Sequence, residues 1–261
     1  MGHSPSKLDN PVMPEDFTEK DIPQGLTIAS KKTSLKGPTL ELSGAGAGVK
    51  PTYFVRLPKG YYGSMVLHDG PIAEDMATLA NVQPHGRWRQ DFLITLPGLD
   101  GGEPHAEVLR YIGCLGKKER YWFAMEVGHG LQKRNERFEW RRSHGEEVKS
   151  LGEHSWGWKL VALGIEAAEQ GSSNEKSTTQ KQQKQGRANA VPEEVQSEKV
   201  VAVFADAKIR RLSLTHIGEF EFRNAGASGE FGVLWSIMTL LSCLCIWQKE
   251  VQTGITAASV S

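Results

Sequence analysis

The stretch FGVLWSIMTLLSCLCIW, Phe231 to Trp247, carries no charged residue and is the most apolar run of the chain. A helix apolar on every side has only two stable environments, a bilayer or a protein interior. Its length is at the lower edge of what spans a membrane, and Trp247 and Lys249 at its end suit an interfacial anchor. Against that, Gly232, Ser236, Thr239 and Ser242 dilute its apolarity. Gly232, Ser236, Thr239 and Cys243 recur at helical spacing, a stripe of small residues where another backbone can approach closely, which suits membrane helix pairing equally and is neutral on its own. Ser228 or Gly229 can cap a helix here, Glu230 complements its dipole in the first turn, and Lys249 and Gly254 supply a stop. What the run requires is therefore a large enclosure, and the rest of the chain decides which kind.

The preceding segments read as strands. Arg87–Leu96 sets Trp88, Phe92, Ile94 and Leu96 against Arg87, Arg89, Asp91 and Thr95. Arg120–Val127 alternates Tyr121, Phe123, Met125 and Val127 with Arg120 and Glu126. Arg137–Arg142 alternates Phe138 and Trp140 with Arg137, Glu139 and Arg141. Ile217–Arg223 opposes Phe220 and Phe222 to Glu219 and Glu221, with a break at Gly218. A period of two with one wet face is the mark of antiparallel sheet. Tyr53–Leu57, Tyr62–Leu67, Glu107–Gly113, Trp158–Leu163 and Lys199–Ala205 are further strands, so nine or more are expected. Eight strands close a barrel that side chains fill; more leave a hole about the width of a helix. The expectation is a mainly β protein: an antiparallel closed β-barrel around a buried C-terminal hydrophobic α-helix. The alternative is a tail-anchored protein with residues 231–247 as a transmembrane helix.

Composition sets the boundaries. Residues 1–50 are rich in Pro, Gly, Ser and Lys and read as a largely disordered tail, although Thr39–Leu42 is strand-like. Residues 169–199 have no aromatic side chain and read as a disordered polar insertion within one domain, 51–252, followed by a tail at 253–261. Lys plus Arg and Asp plus Glu balance at 31 each, so no global charge draws the chain to nucleic acid or to a membrane. With three cysteines in no ligand or disulfide pattern and no apolar leader, a reduced cytoplasmic setting is expected.

Order and texture resemble the tubby C-terminal-like superfamily, which includes tubby proteins, phospholipid scramblases and plant LURP-one-related proteins. The resemblance is carried by FEWRRSHGEEV (138–148), WGWKLVAL (156–163), VVAVFA (200–205) and the closing GEFGVLWSIMTLLSCLCIWQKEV (229–251), and extends to fungal members of that group. It implies a barrel of twelve strands around a C-terminal helix and, for tubby, phosphoinositide binding. It places no calcium or lipid motif on these positions.

No catalytic constellation emerges, so the expectation is a non-enzymatic binding module with no cofactor and no metal. His129, His144 and His154 with Glu146, Glu147 and Glu153 match no zinc spacing and read as loop residues. The Gly-x-Gly of Val127–Arg134 lacks the following helix that a phosphate cradle needs and reads as a turn. Cys243 and Cys245 point about 200° apart on a helix and do not share a ligand. The basic concentration from Lys117 to Arg142 is more informative. Lys133, Arg134, Arg137, Arg141 and Arg142 are the candidate site for an anionic membrane-lipid headgroup, on a barrel wall that docks peripherally at membranes. Alternation of arginine with aromatic residues also occurs in RNA-binding proteins, but the signatures of RNA modules are missing and no nucleic acid is expected.

Overall fold

The computed structural model describes residues 10–18, 22–31, 37–45, 50–70, 77–87, 89–113, 119–151, 156–164, 198–207 and 216–260. Its twelve strands are β1 (Gly25–Lys31), β2 (Thr39–Gly44), β3 (Pro51–Arg56), β4 (Met65–Asp69), β5 (Thr78–His85), β6 (Asp91–Leu96), β7 (His105–Ile112), β8 (Arg120–Val127), β9 (Arg134–Ser143), β10 (Gly157–Gly164), β11 (Val200–Asp206) and β12 (His216–Phe222). A short helix α1 (Glu146–Lys149) follows β9, and α2 (Val233–Val260) follows β12. Each strand pairs antiparallel with its sequence neighbours, and β1 pairs with β12, so the sheet is a closed barrel. The mainly β barrel expected from the alternation is what the chain forms.

The middle of α2 is fully enclosed. Ten consecutive residues, Ile237 to Ile246, are 0% exposed, a run that only a helix covered on all sides shows. Inward side chains of the wall reach it from several strands. Phe138 and Phe222 pack on Trp235, and Trp140 donates its indole N–H to Ser242 Oγ at 2.7 Å. Within the small-residue stripe, Thr239 and Cys243 are fully buried and Gly232 and Ser236 half-buried. Among the described residues no helix is long and apolar enough to cross a membrane. The transmembrane alternative for 231–247 is thus corrected: the run meets protein, because a twelve-strand wall leaves a helix-wide hole.

Three boundaries differ from the sequence reading. The barrel begins at Gly25 rather than at 51, because β1 and β2 are wall strands whose Leu26, Ile28, Leu40 and Leu42 are 0% exposed. Closure explains this, since without β1 the edge of β12 has no partner. Upstream, residues 10–18 lie against the barrel, held by Val12, whose N–H donates to Thr78 O at 2.8 Å, and by Phe17 edge-on to Tyr53. The helix starts at Val233, after turns at 224–231, and runs to Val260, so Ser228 and Gly229 do not cap it and Gly254 does not stop it. Thr253 and Thr256 hydroxyls donate to Lys249 O and Gln252 O along the last turns. Strand β6 starts at Asp91, so Arg87–Gln90 precede it, and Trp88 lies outside the described residues.

The break expected at Gly218 is present. Gly218 lies opposite Ile28 and His216 opposite Ala29, so Ile217 is the extra residue of a bulge. A Cβ on Gly218 would lie 2.3 Å from Ala205 O, which requires glycine there. The insertion expected at 169–199 lies outside the described residues, apart from Glu198 and Lys199.

Two measurements test this architecture. Deleting residues 1–45 removes β1 and β2, and the truncated chain is expected to lose cooperative unfolding and to aggregate on purification. Ser242→Ala leaves the buried Trp140 indole N–H without its acceptor and should cost about 1–3 kcal/mol in urea unfolding.

Candidate functional site

The outer faces of β7 to β10 gather cations on one wall. Alternation sends Tyr121, Phe123, Phe138 and Trp140 inward, so Arg110, Arg120, Trp122, Arg137, Glu139, Arg141 and Lys159 face out. Register brings them together: Arg110 is opposite Trp122, Trp122 opposite Glu139, Arg120 opposite Arg141, and Arg141 opposite Lys159. Trp122 is flanked by two guanidinium groups, Arg110 at 5.5 Å and Arg137 at 4.1 Å from its ring centroid. Such stacking leaves the planar edges of the guanidinium available for oxyanions.

Glu139 is the hub. Its side chain is only 5% exposed, and it accepts from Arg120 Nη1 at 3.1 Å and Arg141 Nε at 2.7 Å, with Arg137 Nη2 at 3.9 Å. Burying that carboxylate is tolerable because three guanidiniums surround it. A second hub is Glu198, which takes Arg141 Nη1 at 2.7 Å and Lys159 Nζ. The Lys159 hydrogen bond, reinforced by the charges of Lys159 and Arg141, holds Glu198 below the usual carboxylate range. Glu147 completes the set, 3.6 Å from Lys159 and bonded to Ser143 Oγ. The wall thus presents five cations (Arg110, Arg120, Arg137, Arg141, Lys159) against four carboxylates (Glu126, Glu139, Glu147, Glu198), Glu126 being paired with Lys133 from the β8–β9 turn. Arg137 Nε is buried with no hydrogen-bond partner among the described residues, whereas Arg110 is exposed.

The five residues expected to form one site do not come together. Arg137 and Arg141 share the outer wall as alternation requires. Arg134 and Arg142 have the opposite parity and point to the barrel interior, at ends separated by about 26 Å of strand. Arg134 pairs with Glu136 at 2.9 Å and Glu230 at 2.7 Å. Arg142 lies over the Trp158 ring and pairs with Glu250 of α2 at 2.5 Å. Lys133 pairs with Glu126 at 2.9 Å beyond the end of β8. Arg110, Trp122 and Lys159 are the site residues that sequence reading missed. Trp122 was the legible signal: a tryptophan on the wet face of an alternating strand breaks the pattern.

The remaining candidates take structural places. Gly130–Gln132 is a 3-10 turn between β8 and β9, the connecting turn expected of that Gly-x-Gly. His144 packs edge-on to Trp156, and His129 Nε2 lies 3.3 Å from Gly229 O. Glu153, His154, Cys114, Lys117 and Lys118 lie outside the described residues. Cys243 and Cys245 are buried and unpaired with one another. Among the described residues no group of three or more His, Cys, Asp or Glu is placed to hold a metal ion.

At the β9 C-terminal end of the barrel, Glu250 sits among Arg142, Trp158 and Asp206. Burial, and then the Asp206 carboxylate, push its pKa up to about 7, against the pull of Arg142 and the Trp158 N–H. Comparison of the chain with protein-family models, characterised proteins and solved structures finds no match.

Because the folded Glu250 holds its proton to a higher pH than the unfolded one, the native state binds more protons between about pH 4.5 and 7. Stability is therefore expected to fall as pH rises through that window. Glu250→Gln removes this contribution, and its melting temperature should vary less than that of the native chain between pH 5 and 7.5 in calorimetric scans.

Proposed function

We propose that this chain is a tubby-like, non-enzymatic binding module that recognises acidic lipid headgroups, phosphoinositides above all, at a membrane surface. The recognition surface is the outer wall of β7–β10, narrower than the five-residue cluster read from the sequence. One observation carries the reading: Trp122 is clasped between Arg110 and Arg137 on a wall where five cations face four carboxylates, one of them already paired with Lys133. Arg110 is exposed, and Arg137, with 16% of its side chain exposed, reaches Glu139 only at 3.9 Å. Headgroup phosphates are acceptors for exposed guanidinium edges, and a bidentate guanidinium contact is the strong form of that bond. The tryptophan adds an amphipathic ring suited to the headgroup level of a bilayer. Lys133, Arg134 and Arg142 act elsewhere in the protein and contribute to this surface only through the field.

Co-sedimentation with phosphatidylcholine vesicles, with and without a phosphoinositide, tests the reading. The native chain should bind only the phosphoinositide vesicles, less tightly as salt rises. Removing two wall cations, Arg110→Ala with Arg137→Ala, should weaken binding by about 2 kcal/mol, roughly 30-fold. Equal binding by the double variant sinks the proposal. Arg142→Ala serves as the comparison, with binding expected to stay within about twofold.

A further inference from the structure

The wall has one weak seam. Strands β7 and β8 pair only at Arg110–Trp122, Tyr111–Tyr121 and Ile112–Arg120. On their other edges the same strands pair much further: β7 with β6 from Leu109 to His105, and β8 with β9 from Arg120 to Val127. Above Arg110 and Trp122, residues 105–109 and 123–127 thus have no ladder between them. The last rung of the closed part is Arg110–Trp122, the exposed arginine and the ring of the proposed headgroup surface.

The open part leads to a cavity of about 1090 Å³ at the mouth of the barrel, beside the start of α2. Phe231 and Val233 of the helix approach line its floor, and Met13 and Phe17 roof it. Its volume is that of a small-molecule site, and Val12, Met13, Phe17, Phe231, Val233 and Leu234 make its apolar part. The polar part carries three carboxylates, Glu15, Glu107 and Glu126, beside His105, His129 and Lys133, the last already paired to Glu126. An anionic headgroup is repelled from this mouth and drawn to the arginines at the closed end of the seam. The open stretch 105–109 is about 17 Å long, close to the roughly 15 Å that one leaflet contributes to a bilayer core.

We propose that the seam between β7 and β8 guides one acyl chain of the bound lipid into the barrel-mouth cavity, while the phosphate headgroup stays at Arg110, Trp122 and Arg137. The protein then lifts a lipid partly out of the membrane rather than resting on its surface. This rests on the headgroup reading, and the experiment separates the two. The full chain is titrated with a free inositol phosphate, with a short-chain water-soluble phosphoinositide and with a long-chain one, and native mass spectrometry follows the long-chain complex. The long-chain lipid should bind at least tenfold more tightly than the free headgroup and form a one-to-one complex. Leu99→Trp and Met13→Trp, each filling the cavity from a different side, should cancel that tenfold gain and leave affinity for the free headgroup unchanged. Equal affinities for all three ligands in the native chain overturn the acyl site and leave the headgroup reading standing. Loss of headgroup binding alone, with long-chain binding retained, overturns the bridged arrangement together with the headgroup reading. Retention of the tenfold gain in both folded variants overturns the cavity as the place of the chain, as does an extended peptide that competes with the long-chain lipid.

Discussion

Everything in this structure depends on filling the middle of a wide barrel. A closed sheet of twelve strands has an interior too broad for its own inward side chains to meet. An empty interior would forfeit the dispersion contacts that make a core stable. Helix α2 occupies that volume, and the ten residues from Ile237 to Ile246 have no solvent at all. The wall in turn needs the helix, since Phe138, Trp140 and Phe222 find their inner partners on it. Neither part is a stable object without the other.

That dependence frees the outer surface. Because the core is made between wall and axle, the outward positions of β7–β10 carry no packing duty and accept charge and an aromatic ring. Elsewhere α1 covers part of the wall, where Val148 packs on Val203 and Ala205. The arginines of the wall are ordered by buried Glu139 and by Glu198, so they form a pre-arranged lattice rather than a set of mobile tips. Fixed guanidinium groups lose less rotamer freedom on meeting a ligand.

The sequence revealed the axle and most of the wall, for reasons that concern particular residues. Phe231–Trp247 is too apolar to lie on a surface, and β8 and β9 alternate without interruption, so both elements were legible. The first strand was not, and the second showed only as the strand-like Thr39–Leu42 within a tail: Leu26 with Ile28, and Leu40 with Leu42, are short alternations embedded in Gly, Ser and Lys. Their need for burial comes from closure with β12, a partner almost two hundred residues away, which local pattern does not contain. The same limit shaped the basic cluster. Proximity in sequence joined Arg134, Arg137, Arg141 and Arg142, whereas strand parity sends the first and last inward at opposite ends. Arg110 and Lys159 belong to the wall only through register, which no single strand encodes. The C-terminal extent of α2 was hidden by Gly254, because a lone glycine weakens a helix without ending it.

The position of the axle in the chain has a consequence for how the protein is made. Helix α2 comes after all twelve strands, and β1 waits for β12 before the sheet can close. During synthesis the growing chain therefore holds a curved, apolar sheet face with Phe92, Phe123, Phe138 and Trp140 turned inward and nothing to cover them. Long-range pairing of this kind folds slowly and passes through states that aggregate. A ribosome that pauses before Val233–Val260 leaves a barrel without an axle. For this fold the core is complete only once α2 has been made, and the cell's chaperones must bridge the interval.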